Sequence, residues 1–177
     1  MVHKDLLTFY SDYFRGALNG SFREAIESKI SLPDVCVETM ELFVHFIYNR
    51  CLADGAGHKL SWEQLVEVWL FGDKHLIPSL QNSAMDALIM KNKTENVIPT
   101  KNVKVIYENT LSSSPLRKFI LDLVTYIDID RLMDTDNGSR WSHESLMDLA
   151  RALYHKRTVK PVRGNCYYHV HNAGEKC

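Results

Sequence analysis

The chain has 177 residues, 45% of them hydrophobic and 24% charged, and carries 21 basic against 22 acidic side chains for a formal net charge of −1. That length suits one domain with an extension, or two small ones, with apolar content enough for a core. So even a balance of charge gives no global field to gather nucleic acid or an anionic membrane surface, and neither is an expected partner. The longest uncharged, mostly apolar run, LFVHFIYN, falls far short of a bilayer span. Acidic and aromatic residues interrupt the first ten positions, which argues against a signal peptide. Four cysteines, two widely spread and two near the end, make no dense disulfide framework, so a reducing cytoplasmic or nuclear compartment is expected.

In chain order, residues 4–18 place Leu6, Leu7, Tyr10, Tyr13, Phe14, Ala17 and Leu18 at spacings of three and four, which predicts one amphipathic helix. Asn19-Gly20, tolerant of positive φ, is expected to end it. After a short helical piece, Ile30 and Leu32 alternate with Lys29 and Ser31, and Pro33 limits this run to a short strand. Residues 37–50 form the most apolar segment. Val37, Met40, Val44, Ile47 and Tyr48 make one face and Leu42, Phe43 and Phe46 widen it, so the helix is expected in the middle of the fold with only a narrow polar edge.

The loop CLADGAGHKLS is polar and holds two glycines. Ser61 with Gln64 reads as a capping box opening the next helix, whose buried side is Trp62, Leu65, Val66 and Trp69. Pro78 starts another helix with a small-residue face at Ile77, Leu80, Ala84, Ala87 and Leu88. KNKTENVIPTKN breaks the pattern and is a candidate boundary. A helix around Val103–Asn109 follows, then a proline start at Ser114-Pro115 leading into Leu116, Phe119, Ile120, Leu123 and Ile127. Asp136-Asn137-Gly138 reads as a turn, the last helix carries Leu146, Leu149, Ala150 and Leu153, and periodicity stops beyond Arg157. The fold class is therefore mostly α (α+β), a helical cluster with a remnant of strand near the front.

Several of these residues fall in an order that resembles the BTB/POZ domain. Val2-His3-Lys4 stands where that family ends a strand. Leu7, Ser11, Phe14, Arg15 and Leu18 follow its helix signature xxLxxxSxxFRxxL. The run Lys29–Pro33 and the helix from Phe43 to Tyr48 match its next strand and Tyr-terminated helix, and LVEVWLFGDKHLIPSLQNSAMDAL its following helix pair. Asn19-Gly20, Phe22, Glu24-Ala25 and the Leu-Pro in the strand are most similar to fungal members. The resemblance covers about half the chain. It implies a partial BTB/POZ domain over residues 1–91, followed by a helical extension over 92–157 and a Cys/His-containing tail over 158–177.

The family's first strand, first helix and most of its second strand precede the His-Lys pair. Much of its homodimer interface lies there, so homodimerisation is not carried over to this chain. An unpaired strand at 29–33 would leave an exposed edge, lowering stability and favouring self-association.

Two groups of residues are candidate sites. Phe22-Arg23-Glu24 matches the aromatic-x-Glu motif through which many BTB domains engage a cullin scaffold. Phe22 would enter a partner groove and Glu24 would fix register; the alternative is that Phe22 packs back on its own helix and Glu24 is plain surface. In the tail, Cys166, His169, His171 and Cys177 equal the ligand set of a tetrahedral structural zinc site, although the spacing matches no common finger.

Other clusters read as ordinary. Lys156, Arg157, Lys160 and Arg163 suit a solvated linker, and Gly55–Lys59 lacks P-loop spacing. Asp73 with His75, or Cys36 with His45, comes without a nucleophile elbow, triad or carboxylate pair. The expected function is protein–protein interaction, as a substrate adaptor for a cullin-type ubiquitin ligase. The alternative is a zinc-stabilised regulatory protein whose tail contacts a macromolecule. An enzyme is not expected.

Overall fold

The computed structural model describes residues 2–52, 59–125, 139–155 and 165–171. The loop glycines Gly55 and Gly57, Ile127, the expected turn at Asp136-Asn137-Gly138, the basic residues Lys156, Arg157, Lys160 and Arg163, and Cys177 lie outside them. The described elements are α1 (Lys4–Tyr10), α2 (Asp12–Asn19), α3 (Arg23–Glu27), α4 (Val37–Asn49), α5 (Trp62–Lys74), α6 (Pro78–Glu95), α7 (Val103–Asn109), α8 (Pro115–Val124) and α9 (His143–His155). Single 3-10 turns at Thr100–Asn102 and Asn165–Tyr168 complete them. No described helix is long and apolar enough to cross a membrane.

The single helix expected over residues 4–18 is two helices, broken at Ser11. The Ser11 backbone is extended (φ −132°, ψ 122°), and its fully buried hydroxyl accepts from Phe14 N–H at 3.0 Å while donating to the His75 carbonyl at 2.6 Å. One side chain therefore caps α2 and ties it to the end of α5, which outweighs the continuous apolar spacing. The helix does end at Asn19, but Gly20 has φ −87° and needs no left-handed freedom. What it supplies is room, because a Cβ there would stand 2.9 Å from the Phe22 ring.

The short strand expected at 29–33 is not formed. Among the described residues there is no strand at all, and Ile30 and Ser31 make no backbone hydrogen bond to another described residue. Alternation of apolar and polar residues cannot make a strand without a neighbour to complete the ladder.

Other expectations match closely. Gln64 N–H donates to Ser61 Oγ at 3.1 Å and Ser61 N–H to Gln64 Oε1 at 2.8 Å, completing the capping box of α5. Pro78 opens α6 and Pro115 opens α8, with Ser114 Oγ accepting from Leu116 N–H. Trp62 and Trp69 lie in the core. Helices α5 and α6 form the most closely packed pair. Their approach depends on Gly72 as well as on the small face of α6, since a Cβ at Gly72 would meet Gln81 Cγ at 2.9 Å. The KNKTE run is helical and α6 continues to Glu95, where Asn96 (φ 49°) turns the chain. On α9 only Ser145 and Leu149 are fully buried; Leu146 and Ala150 face outward.

The core is continuous from Phe14 to Tyr168. Its front half is an aromatic line. Phe14 stacks near Phe43 (5.9 Å between centroids), Phe43 meets Phe71 (5.0 Å), and His75 lies against both Phe71 (4.1 Å) and Phe14 (5.6 Å). The back half is organised by Arg117, which the sequence reading passed over. Its buried guanidinium donates from Nε to Thr110 Oγ1 (2.9 Å), from Nη1 to Glu144 (2.5 Å), and from Nη2 to the carbonyls of Tyr107 and Thr110. It also stacks 4.3 Å from the Tyr107 ring centre. One side chain thus joins α7, α8 and α9 with four of its five N–H donors engaged, the kind of pairing that lets a buried cation be tolerated.

Candidate interaction surface

The family-like motif residues prove to be fold clamps. His3 Nδ1 lies 2.5 Å from Tyr48 Oη, and Lys4 Nζ donates to the Leu18 carbonyl at 2.8 Å. With Ser11 and Phe14 they fasten α1 and α2 to α4 and α5. Their polar groups are engaged with one another and with the backbone, although His3, Lys4 and Tyr48 remain exposed.

Phe22-Arg23-Glu24 stands at the start of α3, with Phe22 as the N-cap. The Phe22 ring leans over Gly20 yet remains 63% exposed. Arg23 is occupied within the helix, its Nε 2.6 Å from Glu27 Oε1. The Glu24 side chain is exposed and makes no hydrogen bond or ion pair to another described residue. Four residues beyond Phe22, Ile26 is 80% exposed. Phe22 and Ile26 share one side of this short helix, since residues four apart are neighbours on a helical surface. Ile26 escaped the sequence reading because a helix of five residues is too short to display periodicity.

A second surface corrects the expectation for α4. That helix buries Thr39, Leu42, Phe43, Phe46 and Ile47. Its other apolar face, with Val37, Met40, Val44 and Tyr48, lines an open hollow of about 820 Å³ together with Val2, Ile30, Leu32 and Val35. Val37 is 67% exposed and Tyr48 45%. The helix therefore sits at a rim of the described fold with two apolar faces, only one of them covered. A neighbouring hollow between Leu7, Leu18 and Lys29 shares Val2, Ile30, Leu32 and Met40 with it. Residues 29–32 consequently run between two apolar depressions. Contiguous exposed apolar surface of this kind is a common feature of interaction sites.

The titratable pairs Asp73 with His75 and Cys36 with His45 are engaged in other contacts. Asp73 accepts from Gln81 Nε2 at 3.0 Å, and burial raises its pKa above the ordinary carboxylate value despite that bond. His75 donates from Nδ1 to the Phe71 carbonyl at 2.8 Å, and burial lowers its pKa. His45 Nδ1 stands 3.3 Å from the Cys51 carbonyl, while Cys36 Sγ caps α4 at Thr39 N–H. Tyr107 donates to Asp148, and burial, with Asp148 second, pushes its pKa far above the ordinary phenol value. Each of these groups serves packing or capping.

In the tail, His171 Nε2 is 3.6 Å from Cys166 Sγ, whereas His169 Nε2 is 2.9 Å from Asp86 Oδ1. Cys166 is held in a disulfide, and Cys36 and Cys51 are free. No group of three or more His, Cys, Asp or Glu among the described residues is placed to hold a metal ion. Cys177, the fourth expected ligand, lies outside them.

Comparison with known proteins gives one finding. The model of the BTB/POZ domain family matches residues 1–92, the part of the chain that contains α1 to α5, most of α6, the exposed α3 side and both hollows. No curated protein and no solved structure matches the chain. With half of its length matched and the motif residues serving as the clamps of the fold, the chain belongs to the BTB/POZ domain family, a family of protein–protein interaction modules.

Proposed function

We propose that this protein is an adaptor that engages a cullin scaffold of a ubiquitin ligase through α3, while its other surfaces hold the protein to be modified. The observation that carries the reading is the side of α3 formed by Phe22 and Ile26, both largely exposed, with the exposed Glu24 carboxylate on the same short helix and without a partner among the described residues. An aromatic anchor flanked by a charge is the composition of an interface hot spot: the ring supplies the dry contact and the carboxylate fixes register. The outer face of α4 supplies apolar area for a second protein, and the helices beyond residue 92 back the assembly.

Pull-down of cullins by the full chain, set beside Phe22→Ala and Glu24→Lys, tests this. Capture should fall at least tenfold in each variant, with melting temperature unchanged because neither side chain is buried. Equal capture by all three chains rejects the cullin assignment and leaves the general role of the family intact.

A second reading, a zinc-stabilised tail that contacts a macromolecular partner, is supported by the pairing of Cys166 with His171. Their separation of 3.6 Å is one that two ligands of a tetrahedral zinc span. It requires Cys166 as a thiolate, hence reduction of its disulfide, and release of His169 from Asp86. Native mass spectrometry of the reduced chain with added zinc decides it: one bound equivalent supports the site, and none retires it.

A further inference from the structure

A third hollow, of about 640 Å³, lies where the start of α4, the end of α5 and one side of α7 meet. Unlike the two apolar hollows it is ringed by charge. Lys74 Nζ stands 3.5 Å from Asp34 Oδ2, so that pair largely cancels. Glu67 and Asp73 remain. Glu67 has no ion pair to a described residue, and Asp73 accepts only from the neutral Gln81 amide. The hollow is therefore anionic. On the same rim stands Cys36, a free and exposed thiol at the N-cap of α4. Its Sγ accepts from Thr39 N–H at 3.4 Å and lies 3.0 Å from Thr39 Oγ1, which holds the sulfur in one position. His75 also lines the hollow, although it is only 2% exposed. Its Nδ1 donates to the Phe71 carbonyl, and burial keeps the ring neutral, so Nε2 is a bare acceptor. That nitrogen has no hydrogen-bond partner and is not shut off from solvent; the open space that His75 lines is this hollow.

We infer that this hollow is a modification site, in which Cys36 forms a mixed disulfide with a small aminothiol. Three features fix the class of reactant. The bare Nε2 of His75 asks for a hydrogen-bond donor and the two carboxylates for a positive charge; an ammonium group is both at once. The volume is that of a small-molecule site. The fixed sulfur of Cys36 supplies the covalent attachment. The co-reactant is the symmetrical disulfide of the aminothiol. The Cys36 thiolate, having given its proton to the medium, attacks one sulfur of that disulfide. A new S–S bond forms as the old one breaks, and the departing aminothiolate takes up a proton. Cys36 is oxidised and the released half is reduced, so the exchange balances without a further oxidant.

The chain carries its own control. Cys51 is likewise free and exposed, yet its sulfur makes no hydrogen bond to a described residue and it lines none of the three hollows. Exposure alone would make the two thiols react alike. The surroundings of Cys36 predict a preference that Cys51 lacks: a cationic disulfide is concentrated beside the sulfur, and an anionic one is turned away. The site stands apart from α3, so it neither rests on the cullin reading nor fails with it.

The probes are three small disulfides: cystamine, with two ammonium ends, neutral bis(2-hydroxyethyl) disulfide, and dithiodiglycolate, with two carboxylates. Each is added to the full chain, and peptide mapping by mass spectrometry follows adducts at Cys36 and Cys51 separately. Every rate is divided by that of the same reagent with N-acetylcysteinamide, a neutral free thiol. At Cys36 cystamine should then outpace dithiodiglycolate by about tenfold or more, with the neutral reagent between them. At Cys51 the three normalised rates should agree more closely. Glu67→Gln with Asp73→Asn, both at exposed positions, should erase the preference at Cys36 while leaving its reaction with the neutral reagent unchanged. In the cystamine adduct the nitrogen-15 resonance of His75 Nε2 should move and the ring resonances of His45 should not. The inference is overturned if Cys36 shows no preference for the cation, if Cys51 shows the same one, or if the double variant keeps it. An unmoved His75 Nε2 overturns it as well.

Discussion

The front of the molecule, α1 to α4, and the part from α5 to α8 are assembled on different terms. Helices α5, α6 and α8 each bury six or seven residues, and the faces they share are closed. Helices α1 and α3 bury none fully, and α4 covers only one of its two apolar faces. The back is held by packing and by one buried, multiply bonded cation. The front is held by a few specific clamps, and much of its apolar surface faces open hollows. Surface that is not needed to stabilise the fold is surface available to a partner, and the less complete half offers more of it.

Substitutions sharpen or break this contrast. The largest effect is expected in the back. Arg117→Ala leaves the carbonyls of Tyr107 and Thr110 without their donor, while the half-exposed Glu144 turns to water, costing about 2–4 kcal/mol. For a chain of this size that lowers the melting temperature by about 10 °C, read by calorimetry. A change below about 1 kcal/mol would mean that the back does not depend on this hub. Ser11→Ala comes next, at about 1–3 kcal/mol, because it removes the cap of α2 and leaves the buried His75 carbonyl without its donor. Chemical denaturation measures it, and a neutral outcome would show that the front is not clamped at this point.

His75 gives the contrast a pH dependence. Burial lowers its pKa in the folded chain, so below the unfolded value of about 6.5 the unfolded state takes up a proton that the folded state resists. Stability is then lost as pH falls from about 6.5 toward the lowered folded value, and is unaffected above that window. Asp73 acts in the opposite direction at lower pH. Its raised pKa makes the folded chain the stronger proton binder, which returns some stability as the carboxylate protonates. Melting temperature measured from pH 7.5 to 5.5 should decline, and His75→Gln should flatten the decline; an equal slope in both chains would remove His75 as the cause.

The smallest effect on stability is expected on the outer face of α4. Val37→Ser should change unfolding free energy by less than about 0.5 kcal/mol, since the side chain is already mostly in water. A cost above about 1.5 kcal/mol would show that this face is covered in solution, and concentration-dependent melting would identify a second copy as the cover.

How far the sequence discloses this molecule depends on the range of the interaction concerned. The starts of α5, α6 and α8 were legible because Ser61 with Gln64, Pro78 and Ser114-Pro115 act on backbone groups within three residues. The family was legible because His3, Lys4, Ser11, Phe14 and Tyr48 stand in the family's order, and in the fold His3 meets Tyr48, Lys4 bonds the Leu18 carbonyl and Ser11 caps the helix at Phe14. Phe22 and Glu24 were singled out by that motif, and their exposure is consistent with a binding role. Ile26 left no trace in so short a helix. The break at Ser11 was missed because the apolar stripe continues across it and the deciding hydrogen bond reaches His75, 64 residues away.

By itself, then, the sequence determined where helices begin, which residues are apolar enough to be buried, and which family the front belongs to, since propensity, capping and motif order are local or linear properties. Tertiary structure decided which of two apolar faces of α4 is covered and that Lys29–Pro33 has no strand to pair with. It also made Arg117 a hub and seated Tyr168 between α6 and α8. Each of these depends on what lies opposite a side chain in space, and no spacing along the chain encodes that.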